Sequence, residues 1–380
     1  MGKVLHVITG LSRGGAERVL VNLLGGGLAG SSDCSVISLS NEGSYGAVIR
    51  ALGVEVYTLE MSRGLPGAAA LWKLRKIVRE VKPDVIQGWM YHGNLAANVA
   101  ARMAPGPRPA VVWNVRHSLY SLAPEKPLTR QVIRSNRWLS PKVNTIVYNC
   151  QLSRQQHESF GFASAKGRVI PNGFDTERWR PATERSSVIR DALSISQDAI
   201  VVGHVARFHP MKGHAAFLRS VVDVMRHRAD VVCLLVGRNV NLENPALAGI
   251  VPRQLEERFR FIGEREDIHD LMQAMDVFCL SSWSEAFPNV LGEAMACGVP
   301  CVTTDVGDSA EIVQNTGIVV PPSDSESLAQ GINELLQKTD AERKALGRAA
   351  RNRVIANYSL QAVVAEYAEL YQNLSNRGPA

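Results

Sequence analysis

No stretch of the sequence comes near the ~18 uncharged apolar residues that a membrane-spanning helix needs. The first residues, Met1 to Ile8, are apolar only briefly and precede no small-residue cleavage site. They are expected to form a buried first strand rather than a signal peptide. The six cysteines, Cys34, Cys150, Cys233, Cys279, Cys297 and Cys301, are scattered, with no C-x-x-C pair and no zinc-like spacing. Reduced, buried thiols in a cytoplasmic protein are the expectation. The sequence lacks a P-loop and a G-x-G-x-x-G turn. It also lacks a D-x-D pair that could bridge a metal ion to a phosphate, and no metal site is expected. Its basic residues are not interleaved with aromatics, and no zinc-finger or RRM signature occurs, so nucleic acid is not an expected partner.

What is present is an ordinary globular composition, 46% hydrophobic and 21% charged, in 380 residues. That length exceeds what one core fills, and two domains are expected. The net charge of +6 is uneven. Residues 1–180 hold 23 Lys/Arg against 11 Asp/Glu, and the remainder holds 19 against 25. A basic front half fits an anionic substrate or an anionic membrane surface.

The chain alternates strands and helices throughout. Strands are expected at 4–9, 34–39, 84–89, 110–115, 144–148 and 168–170. Helices are expected at 15–28, 71–81 and 94–103, from apolar spacing of three and four. Pro171-Asn172-Gly173 opens a turn-rich, weakly periodic stretch to about 197, where the domain hinge is placed. The alternation then restarts with strands at 199–205, 231–236, 259–262, 277–281, 301–304 and 317–320. Helices follow at 213–225 and 289–296, and three more end the chain. This pattern predicts α/β folding with parallel sheets and right-handed crossovers. The expected organisation is an N-terminal Rossmann-like domain over 1–170, a C-terminal one over 171–358, and a last helix over 359–380 crossing back to the first. Ligands of such sheets bind beyond the carboxyl ends of the strands.

The run from Ser282 to Pro300 carries the most chemical information. Pro288 suits the first turn of a helix and Gly298 its end. The amides of Asn289, Val290 and Leu291 are then expected as donors to a diphosphate. Glu293, one turn in, can accept two hydrogen bonds from a vicinal diol such as a ribose. Glu285 lies in the preceding loop, within reach of a sugar beyond the phosphates. A solvated loop glutamate and an ordinary helix glutamate are the plain alternative. Arg207 and Lys212 frame another strand-to-helix turn, where a guanidinium and an ammonium can grip phosphate charge. A pair of surface cations would look the same. Gly14 and Gly15 follow the first strand and allow close backbone approach to an anion, or simply make a turn. The overlapping run Gly10-Leu11-Ser12-Arg13-Gly14 also matches G-x-S-x-G, which raises Ser12 as a hydrolase nucleophile. Only one strand precedes it, whereas such an elbow follows several.

These residues resemble the retaining glycosyltransferases of the GT-B fold, specifically family GT4. Glu285 and Glu293, with seven residues between them, are similar to that family's E-x7-E motif, and Arg207 with Lys212 to its R-x4-K pair. The resemblance implies two Rossmann-like domains facing across a cleft, with acceptor on the front domain and nucleotide-sugar donor on the back one. It implies that Glu285 contacts the transferred sugar and Glu293 the donor ribose, while the backbone after Phe287 holds the diphosphate. His117, at a strand's carboxyl end in Trp113-Asn114-Val115-Arg116-His117, sits where the family places a histidine against the donor sugar. A structural histidine is the alternative. Arg116 would neighbour the acceptor or the phosphates, His92 the acceptor, and Asn172 the donor.

The expected activity is therefore sugar transfer with retention, from a UDP-sugar to a glycan or lipid-linked acceptor of cell-surface polysaccharide or lipopolysaccharide, without a metal or other cofactor. A GT-B nucleotide-sugar epimerase and a non-catalytic sugar-nucleotide-binding subunit are the alternatives. Lys126, Arg130, Arg134 and Arg137 fall on one face of an expected helix. They form either a solvated basic face or a dock on the anionic inner face of the membrane. One departure stands out. After the strand at 231–236 the chain reads Gly237-Arg238-Asn239, where relatives often place an acidic residue.

Overall fold

The computed structural model describes residues 2–12, 14–61, 67–123, 125–181 and 185–376. The chain divides into two units, one of residues 1–173 together with 360–380 and one of residues 174–359.

The first unit is built on seven strands: β1 Lys3–Ile8, β2 Asp33–Ser38, β3 Glu55–Thr58, β4 Val85–Trp89, β5 Ala110–Val115, β6 Thr145–Tyr148 and β7 Gly167–Val169. Their order is β3-β2-β1-β4-β5-β6-β7, and every pairing is parallel. The strands are nearly continuous apolar runs, as a sheet covered on both faces requires. One face packs on the helices Gly15–Leu23 and Leu360–Asn376. The latter inserts Val363, Tyr367, Leu370, Tyr371 and Leu374 into the same core. The other face packs on Ala68–Val81, Met90–Met103 and Pro127–Leu139.

The second unit repeats the plan with β8 Ile200–Val205, β9 Val231–Val236, β10 Phe259–Phe261, β11 Val277–Leu280, β12 Cys301–Thr304 and β13 Ile318–Val320. The order is β10-β9-β8-β11-β12-β13, again all parallel. Both sheets thus run outward from their first strand, reverse, and continue from the other side of it. This is the doubly wound Rossmann order, and it leaves a crevice where the strand order reverses. In the first unit that point lies between β1 and β4, and in the second between β8 and β11. The expected α/β class with two parallel-sheet Rossmann-like domains is what the chain forms.

The polar stretch that reads as aperiodic contains a helix, Arg185–Ala192. Its Arg190 is fixed to Asp276 and to the carbonyls of Ala199 and Ala274. Tertiary anchoring, rather than an amphipathic stripe, holds this segment.

A buried histidine pair lies under the first crossover of the second unit. His204 and His214 stand with ring centroids 4.8 Å apart. Nδ1 of His204 donates to the Cys279 carbonyl and Nε2 of His214 to the Ala206 carbonyl, because a carbonyl can only accept. Burial is the main force holding both rings neutral. It lowers His204 to about 3 and His214 to about 4. An unfolded chain would bind these protons near pH 6.5, so stability is complete above that pH and falls as pH drops from 6.5 towards 4. The slope is roughly 1.4 kcal/mol per pH unit for each ring. Urea midpoints taken between pH 7 and pH 5 should decline steeply. A flat profile would mean that the rings are not neutral in the folded protein.

Candidate functional site

The site grows from the two loops that leave the carboxyl ends of β8 and β11, either side of the crevice in the second sheet. After β8 the chain passes Arg207, makes a short turn over Pro210–Lys212, and enters the helix His214–His227 through Gly213. Gly213 has φ of 68°, and a Cβ built there would lie 1.9 Å from the Ser281 carbonyl oxygen. Only glycine allows this approach. The two loops are tied at several points. Ser281 Oγ donates to the Lys212 carbonyl at 2.9 Å, the Trp283 amide to the Met211 carbonyl at 3.0 Å, and Trp283 Nε1 to the Pro210 carbonyl at 2.8 Å.

This stitching brings the two motifs together. Lys212 Nζ is 2.5 Å from Glu285 Oε1, with 28% and 14% of the respective side chains exposed. Ser282 Oγ donates to the same carboxylate oxygen at 2.7 Å. The Glu285 loop is backed by the loop after β12, where the Asp308 amide donates to the Ala286 carbonyl at 3.1 Å. Gly307, with φ of 59°, leaves room for that contact, since a Cβ there would fall 2.2 Å from the same oxygen. A carboxylate held by a cation and a hydroxyl in a half-buried site is fixed in direction.

The helix Asn289–Ala296 begins as the sequence indicates, with Pro288 as its N-cap and Gly298 in the left-handed region just past its end. Phe287 is buried and lies against the rings of Phe174 and Tyr358. One expectation needs correction. The Leu291 amide donates to the Pro288 carbonyl at 3.1 Å, in a tightened first turn, so it is not an open donor as the sequence reading has it. Asn289 and Val290 are partly exposed at the helix start. Glu293 is buried, 6% exposed; burial first, and then the charge of Glu293, push up the thiol of Cys297, which caps the end of the same helix. Arg207 is exposed at the end of β8. The next amide, that of Phe208, donates to the Arg238 carbonyl, which links the loops after β8 and β9.

The remaining candidates belong to the first unit. Gly14 is extended and precedes the helix Gly15–Leu23, and a Cβ at Gly15 would meet nothing within 4 Å. Arg13 lies outside the described residues. Ser12 is not among the non-glycine residues with positive φ, so the turn lacks the strain of a nucleophile elbow. His117 is half exposed, with Nε2 3.4 Å from Glu125. Asn172 is buried, and its side-chain oxygen accepts from Arg116. Arg116 also donates to the Tyr367 hydroxyl at 2.5 Å and lies over the Trp89 ring at 5.4 Å. Sequence reasoning missed Ser282, Trp283 and Tyr367. Ser282 and Trp283 sit inside the recognised run but became site parts only when β8 and β11 paired. Tyr367 is 251 positions from Arg116, and no local signal joins them.

Of the four basic residues, Arg130 donates to the carbonyls of Ala123 and Glu125, and Arg137 lies over the Phe160 ring. Lys126 is the N-cap residue of the helix Pro127–Leu139, and Arg134 is exposed on it. Among the described residues no helix is long and apolar enough to cross a membrane.

The two parallel, doubly wound sheets are the fold of the GT-B glycosyltransferases. The description "Glycosyltransferase Family 4" matches residues 13–178, and "Glycosyl transferases group 1" matches residues 199–338. The chain belongs to this family, the group 1 glycosyltransferases of family 4. It is 24% identical over 313 residues to the UDP-Gal:alpha-D-GlcNAc-diphosphoundecaprenol alpha-1,3-galactosyltransferase of Escherichia coli, covering 80% of this chain and 78% of that one. It is 25% identical over 349 residues to a GDP-mannose-dependent monoacylated alpha-(1-6)-phosphatidylinositol monomannoside mannosyltransferase of Corynebacterium glutamicum, covering 88% of each. Its fold matches the crystal structure of Anabaena Alr3699/HepE in complex with UDP and glucose, with a TM-score of 0.82 and 23% identity over 98% of this chain and all of that one.

Proposed function

We propose that this glycosyltransferase moves a sugar from a UDP-sugar to a lipid-linked glycan acceptor in cell-surface polysaccharide or lipopolysaccharide synthesis, with retention at the anomeric carbon. The observation that carries the reading is the Lys212–Glu285 pair, set at the reversal point of the second sheet beside a helix N-terminus. A diphosphate placed on Asn289 and Val290 would take up Lys212 and Arg207 as counter-charges as the leaving group gains charge. In this reading those two cations do the work that a bound metal does elsewhere, and no metal is required. Glu285, held by Lys212 and Ser282, would face the transferred sugar, and Glu293 the ribose. His117 and Gly14 belong to the first unit, which would bind the acceptor.

The E. coli relative's name supports a UDP-sugar and a diphosphoundecaprenol-linked acceptor, and HepE was crystallised with UDP-glucose. The Corynebacterium relative is GDP-mannose-dependent by name, so the nucleotide is what the donor test decides. The test is release of free nucleotide from a panel of UDP-, GDP-, ADP- and dTDP-sugars. Release from a UDP-sugar supports the reading, and turnover of GDP-sugars alone replaces the donor while keeping the transfer.

A further inference from the structure

Trp283 has no part in the reaction as set out above, yet it is held firmly at its centre. It follows β11 between Ser282 and Ser284, beside the reversal point of the second sheet. Its amide donates to the Met211 carbonyl at 3.0 Å, and its indole Nε1 donates to the Pro210 carbonyl at 2.8 Å. Backbone and ring are thus both tied to the turn that presents Lys212. The residue is nevertheless 49% exposed, and among the described residues neither a second ring nor a cation covers the indole. Trp72 and Trp138 are more exposed still, but among the described residues their indole nitrogens have no hydrogen bond. Trp283 alone of the three gives up rotamer freedom while about half of its surface still faces water. A fixed ring with an open apolar area is the form of a recognition platform.

Its neighbours identify what it meets. Glu285, two residues along the same loop, is held by Lys212 and Ser282. In the transferase reading Glu285 faces the transferred sugar, Lys212 the diphosphate, and the buried Glu293, on the next helix, the ribose. The covalent order of a nucleotide sugar is base, ribose, diphosphate, sugar. The base therefore lies beyond Glu293, and Trp283 belongs with Glu285 at the sugar end. A pyranose is itself two-sided. Its hydroxyls project around the rim, while the C–H groups of one face form an apolar patch. Carboxylate and ammonium can take the hydroxyls, but the patch needs a flat apolar partner, and the open indole supplies one.

We propose that Trp283 is a specificity-determining platform on which the C–H face of the transferred pyranose stacks while Glu285 takes its hydroxyls. The assignment to the transferred sugar rests on the transferase reading above. The platform selects donors by the shape of the sugar face, and a sugar whose substituents cover that face is disfavoured whatever its nucleotide.

The test is fluorine NMR of the full chain labelled with fluorotryptophan, which gives one signal for each of the six tryptophans. Trp283→Phe assigns the relevant signal by deleting it. The probes are UDP and GDP, UDP-glucose, UDP-galactose and GDP-mannose, and free glucose and galactose at high concentration. At least one sugar-bearing probe should move the Trp283 signal, while the bare nucleotides leave it in place and the Trp72 and Trp138 signals stay still. In calorimetric titrations Trp283→Ala should weaken the nucleotide sugar that binds by about tenfold and leave the bare nucleotide unchanged. Trp283→Phe keeps a ring but has no N–H. It should retain most of the affinity, which separates stacking from the tie to Pro210. Thermal midpoints show that both variants are folded. The proposal is overturned by a Trp283 signal that no sugar moves, or by a bare nucleotide that moves it as far as its sugar conjugate does. Wild-type affinity in Trp283→Ala, or equal losses in the Phe and Ala variants, would overturn it too. If nucleotide sugars bind and the signal stays put, the platform fails and the transferase reading stands. If free pyranoses move the signal and no nucleotide sugar binds, the transferase reading fails and the platform stands.

Discussion

Lys212→Ala should lower kcat for nucleotide release by about 10²–10³-fold, the cost of removing one preorganised charge donor from a reaction centre. Lys212 lies 2.5 Å from Glu285, in a setting where neither side chain is freely solvated. A leaving diphosphate held at this turn would meet a fixed cation as its charge grows. Without Lys212, Glu285 keeps Ser282 as a donor, but the turn keeps only the exposed Arg207 against the charge that develops. The loss should fall on kcat more than on KM, because the charge grows on the way to the transition state. Lys212→Arg should recover little of it, since a planar fork does not replace a compact ammonium at this distance. Initial rates at saturating donor, measured beside thermal midpoints, separate this from a structural role. A lowered midpoint with unchanged kcat would make the pair a loop tie and nothing more.

Gly213→Ala should be damaging out of proportion to its size. The residue holds φ of 68°, and its Cβ would stand 1.9 Å from the Ser281 carbonyl oxygen. Left-handed backbone at a non-glycine residue and a backbone clash each cost about 1–3 kcal/mol, so a loss of about 3 kcal/mol or more is expected in urea unfolding. The strain can be relieved only by moving the Lys212 turn away from β11, which separates the ammonium from Glu285. Turnover should therefore fall even at temperatures where the variant remains folded. Gly15→Ala is the contrasting control. A Cβ there meets nothing within 4 Å, and a folded protein of undiminished stability is expected. Equal effects of the two substitutions on stability would refute the packing argument.

Much of this architecture is legible in the sequence because the strands are buried on both faces and read as short apolar runs between turn formers. The helix Asn289–Ala296 emerges with its observed bounds, since Pro288 and Gly298 punctuate both ends. The edge strand Glu55–Thr58 escapes notice, because four residues with one buried position give no period to detect. The helix Arg185–Ala192 escapes for a different reason, as Arg190 anchors it through contacts made with residues 9 and 84 positions away. The candidate site was legible as two separate motifs and not as one constellation. Arg207 with Lys212, and Glu285 with Glu293, each read as ligand contacts. That Lys212 meets Glu285 depends on β8 lying beside β11, an order that no local pattern specifies. The use of Ser282 as a second donor and the Leu291–Pro288 tie are likewise products of geometry within a few ångströms.

The most direct test of the central claim is the nucleotide-sugar panel, run with wild type and Lys212→Ala side by side. Binding is read by ligand-detected NMR and turnover by free nucleotide. The account predicts that one donor binds the wild-type chain and slowly releases its nucleotide, and that the variant loses this release. If no nucleotide sugar binds at millimolar concentration, or if release proceeds equally in the variant, the site between β8 and β11 is not where this chain does its chemistry.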